Sequence, residues 1–523
     1  MNERSAARPG LVRSTAPASG SSPNLQENAL TLRRSEILAQ LSDTPEWDVL
    51  VIGGGATGLG AAVEAASRGY RTLLLEARDF AQATSSRSTK LVHGGVRYLR
   101  QGNLKLVLEA LRERGRILRN APDLAHCRAF IVPAYSMWDL PFYSVGLTFY
   151  DLLSGGESLG RSKLLSPAAV RAALPTLQPR GLRGGILYYD GQFDDARFAI
   201  ALLRTLFDLG GTALNYAPVS QLLKAQGRLR GVAATDSETG RAFELSAKVV
   251  VNATGIFSDS VRRMDDPATP SIVTASQGTH FVLPRSFLPS ENALMIPRTA
   301  DGRVLFAIPW RGRVLVGTTD DPVPKPELEP RSTRQERDYL VEHIERFLGR
   351  RPLPADVLSV WSGQRPLVSR SSTASTAALS RDHTILISHS RLVTIVGGKW
   401  TTYRKMAEDV IDRAAPLAGL PRLASKTANL RLHADEASTP AEPLHPAFEF
   451  GKADVIRAVR YEMARRLEDV LARRARALFL DARASLDAAP AVVRLMAAEL
   501  QLDPAWERDQ LVAYSRLAEQ YTL

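Results

Sequence analysis

Apolar and polar positions follow one another with the periods of short buried strands and amphipathic helices. An apolar run at 47–52 leads into a glycine-rich turn and a helix of small residues that ends near Ala66. A second apolar run at 71–75 ends at Glu76. Short apolar runs between turn residues are typical of buried strands, so this order predicts a parallel βαβ unit.

The rest of the chain divides into strand-rich and helical stretches. Strand-like patterns with turn residues between them cover 213–251 and 272–320, and a buried strand is predicted at 392–396. Beyond residue 431, a linker rich in proline and alanine precedes an Arg- and Ala-rich helical region at about 450–523. Amphipathic periodicity predicts helices at 103–119, 197–209 and 402–414.

Two segments lack a clear globular pattern. Residues 1–45 are rich in Ser, Ala, Pro and Arg and contain no signal-peptide core, so we predict a disordered tail with one short helix at 32–41. The longest apolar segment, 130–153, is interrupted by Asp139 and prolines and is not a transmembrane helix. Its aromatic residues fit a membrane surface and a buried segment under a loop equally well.

Composition limits the classes of protein that the chain can be. With 523 residues, 45% of them hydrophobic, two or three globular domains are expected. The net charge of +12 favours anionic partners, namely nucleic acid, acidic lipid or phosphorylated substrates, without choosing among them. The single cysteine, Cys127, excludes a disulfide framework and a Cys-ligated iron–sulfur cluster within the chain, and we expect it to be buried.

The glycine-rich turn has the spacing of a dinucleotide-binding fingerprint in its full βαβ context. Gly53 permits the tight turn, Gly55 allows the backbone to approach a pyrophosphate, and Gly58 allows close packing of helix and strand. The helix N-terminus offers free N–H groups to the phosphates. Glu76 is placed to accept hydrogen bonds from the ribose hydroxyls.

Later motifs favour FAD over NAD as the dinucleotide. An apolar strand ends in Ala253-Thr254-Gly255, which resembles the second dinucleotide motif of the glutathione-reductase-like flavoproteins. Gly398 and Lys399 join another strand to a helix whose N-terminus can face the flavin N1/C2=O edge. We therefore predict that Ala253, Gly255 and Gly398 belong to an FAD site.

The segment TSSRSTKLVHGGVRYL at 84–99 resembles the FAD-dependent glycerol-3-phosphate dehydrogenases of the bacterial aerobic type. Further motifs match in family order, so the resemblance runs from about residue 48 to the end of the chain. These motifs lie at 189–190, 194–197, 278–280, 363–367, 381–383, 397–404 and 468–474. We expect the last of them to lie on an exposed helix whose charges form i,i+4 pairs.

The resemblance implies an α/β fold with a glutathione-reductase-like Rossmann FAD domain, an interleaved mixed-sheet substrate domain and a C-terminal helical domain. The implied reaction oxidises sn-glycerol 3-phosphate to dihydroxyacetone phosphate, with hydride transfer from C2 to flavin N5 and electrons passing to membrane quinone. The implied boundaries are 1–45 for the tail; about 46–100, 190–262 and 380–415 for the FAD domain within 46–430; about 101–189 and 263–379 for the substrate domain; and 431–523 for the helical domain.

The same resemblance assigns site residues. Arg97, Tyr98 and Arg381 are expected to bind the substrate, with the two arginines nearest its phosphate. His280, Arg365 and Lys399 are expected to be catalytic: His280 is the candidate base, Lys399 is the alternative base, and Arg365 and Lys399 stabilise the developing alkoxide. The family's flavin contacts fall on Ser85, Ser86, Ser88 and Lys90.

Three other readings of the sequence stay open. A soluble oxidase of the same fold would pass the electrons to O2, and a tRNA-modifying flavoprotein is suggested by the basic charge alone. A non-catalytic flavin-binding subunit would leave the Arg, Lys and His residues unexplained. The preferred reading is a cytoplasmic homodimer attached peripherally to the inner membrane, with FAD, glycerol 3-phosphate and quinone as ligands, a lipid surface as partner, and neither nucleic acid nor metal.

Overall fold

Alternating short apolar runs and amphipathic stretches fold into strands and helices at the predicted places. The computed structural model describes residues 34–95, 103–297, 299, 302–368, 382–434 and 442–523. The helices are α1 (Arg34–Asp43), α2 (Ala56–Ser67), α3 (Leu104–Asn120), α4 (Asp139–Ser154), α5 (Pro167–Ala173), α6 (Asp195–Asp208), α7 (Ser258–Asp265), α8 (Arg334–Leu348), α9 (Tyr403–Leu417), α10 (Lys452–Tyr461), α11 (Ala477–Leu480), α12 (Ala482–Leu500) and α13 (Pro504–Ala518).

The strands occupy the apolar runs between these helices. They are β1 (Trp47–Ile52), β2 (Thr72–Leu75), β3 (Leu91–Val92), β4 (Ala125–Ala134), β5 (Lys163–Leu165), β6 (Gly184–Phe193), β7 (Thr212–Leu214), β8 (Val219–Ala225), β9 (Arg228–Thr235), β10 (Ala242–Asn252), β11 (Val273–Pro284), β12 (Ala293–Ile296), β13 (Leu305–Trp310), β14 (Arg313–Gly317), β15 (Asp321–Val323), β16 (Ser359–Val368), β17 (His383–Ile387) and β18 (Val393–Gly397).

The first sheet confirms the predicted Rossmann unit. Its strands run in the order β17-β18-β10-β1-β2-β7, and β8 and β9 form an antiparallel extension on β10. The strands from β18 to β7 are parallel, with β1 between β10 and β2. Both faces of a parallel sheet are covered by helices, which is why β1 and β2 are almost entirely buried.

The second sheet confirms the predicted mixed sheet, and its role as a substrate domain stays a prediction. Its strands run in the order β15-β11-β14-β13-β12-β4-β6-β3, with β16 paired to β11 and β5 paired to β6. Most pairs are antiparallel, whereas β12 and β4 are parallel. The register between β11 and β16 sets His280 opposite Trp361 and Ser276 opposite Arg365. One strand pair therefore positions both the candidate base and a candidate catalytic arginine.

The C-terminal helices have a core of their own, and they meet the FAD part through buried charges. The prediction that 468–474 lies on an exposed helix was wrong, because Asp469–Arg474 is a buried π-helical turn. Arg473 and Arg474 both bind the buried carboxylate of Asp79, and Arg473 also bonds to Asp469 at 2.7 Å. Because each of these buried arginines lies against a carboxylate, the cost of burying an unpaired charge is avoided.

Two local expectations from the sequence need correction. The short helix predicted at 32–41 is observed as α1, but the predicted disordered tail does not reach residue 45: α1 buries Ile37, Leu38 and Leu41, and Arg34 pairs with Asp236 at 2.5 Å. The chain before residue 34 lies outside the described residues. Cys127 is exposed rather than buried, since it lies near the start of β4, where the second and third positions of the strand face solvent.

The division into domains stays a proposal. The first sheet draws its strands from 47–75, 212–252 and 383–397, and the second draws most of its strands from the segments between them. The residue-to-residue contacts of the described chain do not divide these two sheets into separate compact units. Sheet membership, rather than separation in space, therefore supports the proposed interleaved boundaries.

Candidate active site

In the glycine loop between β1 and α2, a side chain at any of the three fingerprint glycines would come too close to neighbouring atoms. Gly53 has a φ of +111°, and a Cβ on Gly58 would lie 1.8 Å from the Gly53 carbonyl oxygen. A Cβ on Gly55 would lie 3.0 Å from the Ser85 Oγ. The backbone N–H of Ala56 donates to that Ser85 oxygen at 2.9 Å. The loop therefore brings the N-terminus of α2 and a serine hydroxyl together, as a pyrophosphate site requires.

Glu76 lies at the end of β2, next to this loop. Its carboxylate accepts hydrogen bonds from the backbone N–H groups of Gly54, at 2.5 Å, and Arg78, at 2.8 Å. Burial raises the pKa of Glu76, while these N–H groups oppose the rise. The carboxylate is thus held at the strand end where the fingerprint places the ribose-binding acid.

The end of β10 closes against the glycine loop. A Cβ on Gly53 would meet the Ala253 carbonyl oxygen at 2.8 Å, so the backbones of the two dinucleotide motifs are in direct contact. Gly255 adopts a φ of +57° with open space around its Cα. Both positions suit the FAD-binding role predicted for them.

The serines of 84–90 differ in what their hydroxyl groups contact. Ser86 is fully buried, and its Oγ has no hydrogen-bond partner in the described part of the chain. Buried hydroxyls are normally paired, so the unpaired Ser86 hydroxyl departs from the usual pattern. Ser88, in contrast, donates both its N–H and its hydroxyl to Asp195, at 2.9 and 2.7 Å. The flavin contacts of Ser85, Ser86 and Ser88 stay predictions.

The side chain of Lys90 is held inside the protein, and its predicted flavin contact stays a prediction. Its ammonium is fully buried and donates to Asp195 at 2.7 Å and to the Ser86 carbonyl at 2.8 Å. Arg476 from the C-terminal part binds the same Asp195 and the same carbonyl. Burial lowers the pKa of Lys90 to about 7, against the effect of Asp195. Lys90 and Arg476 thus hold the 84–90 segment in place through their shared bonds to Asp195 and to the Ser86 carbonyl.

One cavity of about 670 Å³ collects the predicted catalytic residues. His280, Arg365 and Lys399 line it, and Gly398 and Ser88 lie at its wall. Residues of the glycine loop, Glu76, Ser86, Lys90, Ala253 and Gly255 are not part of its lining. Arg97, Tyr98 and Arg381 lie outside the described residues, so their predicted contacts with the substrate phosphate stay predictions.

His280 is held in the cavity wall between a tryptophan and a threonine. Its ring stacks on Trp361 with centroids 4.2 Å apart, and its Nε2 is 3.0 Å from the Thr89 hydroxyl. Its Nδ1 is buried and has no hydrogen-bond partner among the described residues. Burial first, and then the charges of Lys90 and Arg365, hold the pKa of His280 well below its usual range. The imidazole is therefore neutral at physiological pH. The sequence pattern alone does not predict this, because the cause is the folded environment of the ring.

Arg365 and Lys399 bring positive charge to the same cavity. The Arg365 guanidinium donates to Asp320 at 3.2 Å and to the Thr318 hydroxyl at 3.2 Å. Lys399 directly precedes the turn Trp400–Thr402 that opens α9. A Cβ on Gly398 would lie 2.3 Å from the sulfur of a methionine in α9, so only glycine allows this close approach of the strand end to the helix.

Two cavity residues were missed by the sequence analysis. Arg303 lines the cavity and donates to Asp321 at 2.8 and 3.2 Å. Asp320 lines it as well and orients Arg365. Neither belongs to a recognisable motif, and an arginine in a chain with 67 lysines and arginines has no local feature that marks it as buried in a site.

Comparisons with known proteins agree with this geometry. A family model described as FAD dependent oxidoreductase matches residues 48–404, and one described as the C-terminal domain of alpha-glycerophosphate oxidase matches 391–507. The mitochondrial glycerol-3-phosphate dehydrogenase of Bos taurus is 38% identical over 541 residues, covering 92% of this chain and 74% of the relative. The mitochondrial glycerol-3-phosphate dehydrogenase SDP6 of Arabidopsis thaliana is 36% identical over 557 residues, covering 94% and 88%.

A solved structure is similar over nearly the whole length of the chain. The glycerol-3-phosphate dehydrogenase from Bacillus halodurans, complexed with FAD, superposes with a TM-score of 0.75 at 28% identity. The match covers 93% of this chain and 97% of that one. The arrangement of two sheets and C-terminal helices is thus shared with an FAD-bound enzyme.

Proposed function

The chain belongs to the FAD-dependent glycerol-3-phosphate dehydrogenases, and from this premise we propose that His280, Arg365 and Lys399 carry out the reaction in the 670 Å³ cavity. The observation that carries the proposal is their convergence on one cavity from β11, β16 and the segment after β18. Bound FAD supplies the acceptor for the hydride that leaves C2 of the substrate. The loop that contains Gly53, Gly55 and Gly58 would hold the FAD.

Arg365 is proposed to stabilise the substrate oxygen as the C2 hydroxyl loses its proton. Its guanidinium is fixed by Asp320 and Thr318, so little reorganisation is needed when negative charge develops. Lys399, which lines the same cavity, would add a second positive charge. Arg97 and Arg381 are proposed to bind the phosphate, because guanidinium groups pair with phosphate oxygens bidentately.

His280 is the proposed base that accepts the hydroxyl proton. Support comes from its neutral imidazole, its place in the cavity wall, and a buried Nδ1 without a described partner. Thr89 and Trp361 fix the orientation of the ring. Lys399 is the alternative base, since it lines the same cavity.

Lys90→Met tests the role of His280 through the pH dependence of kcat/KM. The ammonium of Lys90 helps to lower the pKa of His280, so its removal should raise that pKa. The acid limb of the profile, where activity is lost as the base becomes protonated, should then move to higher pH by roughly one unit, equivalent to about 1.4 kcal/mol. Methionine fits the aromatic surroundings of Lys90, which include Trp361 at 4.7 Å.

The matched control for this profile is Lys452→Met at an exposed lysine, for which no movement of the acid limb is expected. An unmoved limb in Lys90→Met, with normal flavin content, would assign the base to another residue. Lys399→Met then becomes the informative variant.

A lipid surface, and with it the membrane quinone as electron acceptor, is proposed from an apolar surface formed by α4 and the two residues before it. Met137, Trp138, Phe142, Val145 and Leu152 are 59–83% exposed, and we call them the α4 patch. Arg161 and Lys163 are exposed in the next segment along the chain. Exposed aromatic and aliphatic side chains with basic residues nearby are typical of helices that lie in the membrane interface. Of the described helices, none is long and apolar enough to cross a bilayer.

Trp138→Glu with Phe142→Glu is expected to abolish binding to vesicles of anionic and zwitterionic phospholipid. Two large apolar side chains contribute about 3–6 kcal/mol on burial, so the partition coefficient should fall at least about a hundredfold. Co-sedimentation measures it. Leu353→Glu with Val512→Glu is the matched control, because both residues are exposed apolar positions elsewhere in the chain. Equal binding of the two double variants would refute attachment through the α4 patch.

The electron acceptor is tested after anaerobic reduction of the enzyme by substrate. We expect a ubiquinone analogue to restore the oxidised flavin spectrum much faster than O2 does, whereas rapid reoxidation by O2 with peroxide release would favour the oxidase alternative. The tRNA-modifying alternative finds no support in Cys127, which is exposed on β4 and does not line the 670 Å³ cavity. The cytoplasmic location and the homodimer stay predictions.

A further inference from the structure

A second, smaller cavity lies between the turn that joins β13 to β14 and the C-terminal helices. Its volume is about 210 Å³, and it shares no lining residue with the larger cavity. Drug-sized ligands occupy cavities of about 300–1,000 Å³, so this one suits a smaller molecule. Five arginines line it, against the two acids Glu449 and Asp454. They are Arg197, Arg311, Arg313, Arg457 and Arg474.

Four of these arginines are held by carboxylates at or behind the cavity wall. Such pairing fixes the direction of each guanidinium. The pairs are Arg197–Glu462, Arg311–Asp194, Arg457–Asp454 and Arg474–Asp79. The cavity is therefore lined by guanidinium groups that are already positioned.

Arg313 differs from the other four. Within the described part of the chain no carboxylate lies within 4.0 Å of its guanidinium, which donates to the carbonyls of Arg311, at 3.3 Å, and Ala447, at 2.9 Å. Its Nε is buried without a described partner, and the group lies 5.7 Å from the Phe448 ring centroid. Burial lowers the pKa of Arg313. The carboxylates of Asp481 and Glu449 oppose this lowering, but neither is bonded to the guanidinium, so an anion in the cavity would supply the directly paired charge that Arg313 lacks.

We propose that this cavity binds a phosphate group, either inorganic phosphate or the phosphate of a small metabolite. Several guanidiniums that approach from different elements match a tetrahedral dianion better than a planar carboxylate, which one arginine can satisfy. The ligand would join the β13–β14 turn to the segment that precedes α10. The inference goes beyond the proposed reaction and does not depend on it.

Tungstate, a heavy analogue of phosphate, locates the site directly. Crystals of the FAD-loaded enzyme grown without phosphate or sulfate would be soaked in tungstate, and the anomalous signal would be mapped. We expect one peak within hydrogen-bond distance of Arg313, and the substrate cavity provides an internal comparison. A peak in the substrate cavity with none beside Arg313 would overturn the proposal.

Calorimetric titration with inorganic phosphate and with dihydroxyacetone phosphate tests the site in solution. Arg313→Gln should weaken one of the two binding events at least about tenfold, a loss of about 1.4 kcal/mol. Arg334→Gln, at an arginine whose side chain is 90% exposed, should change neither event. Unchanged flavin reduction by glycerol 3-phosphate shows that each variant is folded.

The two titrants distinguish the sources of the phosphate group. Tighter binding of dihydroxyacetone phosphate at the Arg313-dependent site identifies a metabolite, and equal or tighter binding of inorganic phosphate identifies the free ion. If Arg313→Gln is poorly folded, Arg313→Lys keeps the charge without the bidentate fork, and a clear weakening is still expected. Binding at wild-type strength in a folded Arg313 variant refutes the site.

Discussion

Gly58→Ala is expected to yield a folded protein without FAD. The new Cβ would lie 1.8 Å from the Gly53 carbonyl oxygen and 2.9 Å from its carbon. Both are backbone atoms of the turn that faces the pyrophosphate, so no flexible side chain can move aside. Overpacking of this kind costs about 1–3 kcal/mol or more, and here the cost falls on the geometry that cofactor binding needs. We expect FAD affinity to fall at least about a hundredfold.

The ratio of flavin to protein absorbance in the purified variant measures this loss, and circular dichroism checks that the protein is folded. Gly146→Ala is the matched control: Gly146 lies within α4, and a Cβ there meets nothing within 4 Å. Its flavin content should equal that of the wild type. A Gly58→Ala protein that retains a full complement of FAD would place the cofactor elsewhere.

Arg365→Met is expected to lower kcat/KM by about a thousandfold while FAD stays bound. Removal of one preorganised donor to a developing oxyanion commonly costs about a hundred- to a thousandfold in rate, and here a full positive charge is lost as well. Methionine keeps much of the side-chain volume, so the neighbours Thr318 and Asp320 need not move far.

Steady-state kinetics with an artificial acceptor separates two roles for Arg365. A fall in kcat indicates stabilisation of the alkoxide, whereas a rise in KM alone indicates binding of the phosphate. Arg365→Lys should show an intermediate loss, because it keeps the charge and loses the planar fork. Arg334→Met serves as the exposed control. Values of kcat and KM near those of the wild type would remove Arg365 from the mechanism.

The local parts of the fold were predictable because short sequences determine them. The apolar run of β1, the spacing of Gly53, Gly55 and Gly58, and the acid Glu76 follow one another within thirty residues and need no distant partner. The helix predicted at 103–119 is observed at Leu104–Asn120 for the same reason, since an amphipathic period already states which face is buried.

The environment of charged residues could not be predicted in this way. Lys90 depends on Asp195 in α6 and on Arg476, which bonds to the same Asp195 from 281 residues further along the chain. The motif at 468–474 looked like a solvated helix because its pairing with Asp79 is invisible to periodicity. Which opposite charges come together is decided only in the folded chain. From composition alone, charged residues such as those of 468–474 are therefore expected to be exposed.

The candidate site shows the same division. Motifs in family order identified His280, Arg365 and Lys399, and the structure brings all three to one cavity. Their protonation could not be predicted, because the low pKa of His280 comes from burial and from Lys90 and Arg365. Arg303 was missed since its role in the cavity depends on its pairing with Asp321 across a loop.

Anaerobic mixing of the purified protein with sn-glycerol 3-phosphate tests the central claim most directly. We predict rapid loss of the visible absorption band of the oxidised flavin, no loss with glycerol, sn-glycerol 1-phosphate or an amino acid, and a much slower loss in Arg365→Met. A flavin that stays oxidised in the presence of sn-glycerol 3-phosphate, or that an amino acid reduces equally well, would contradict the account.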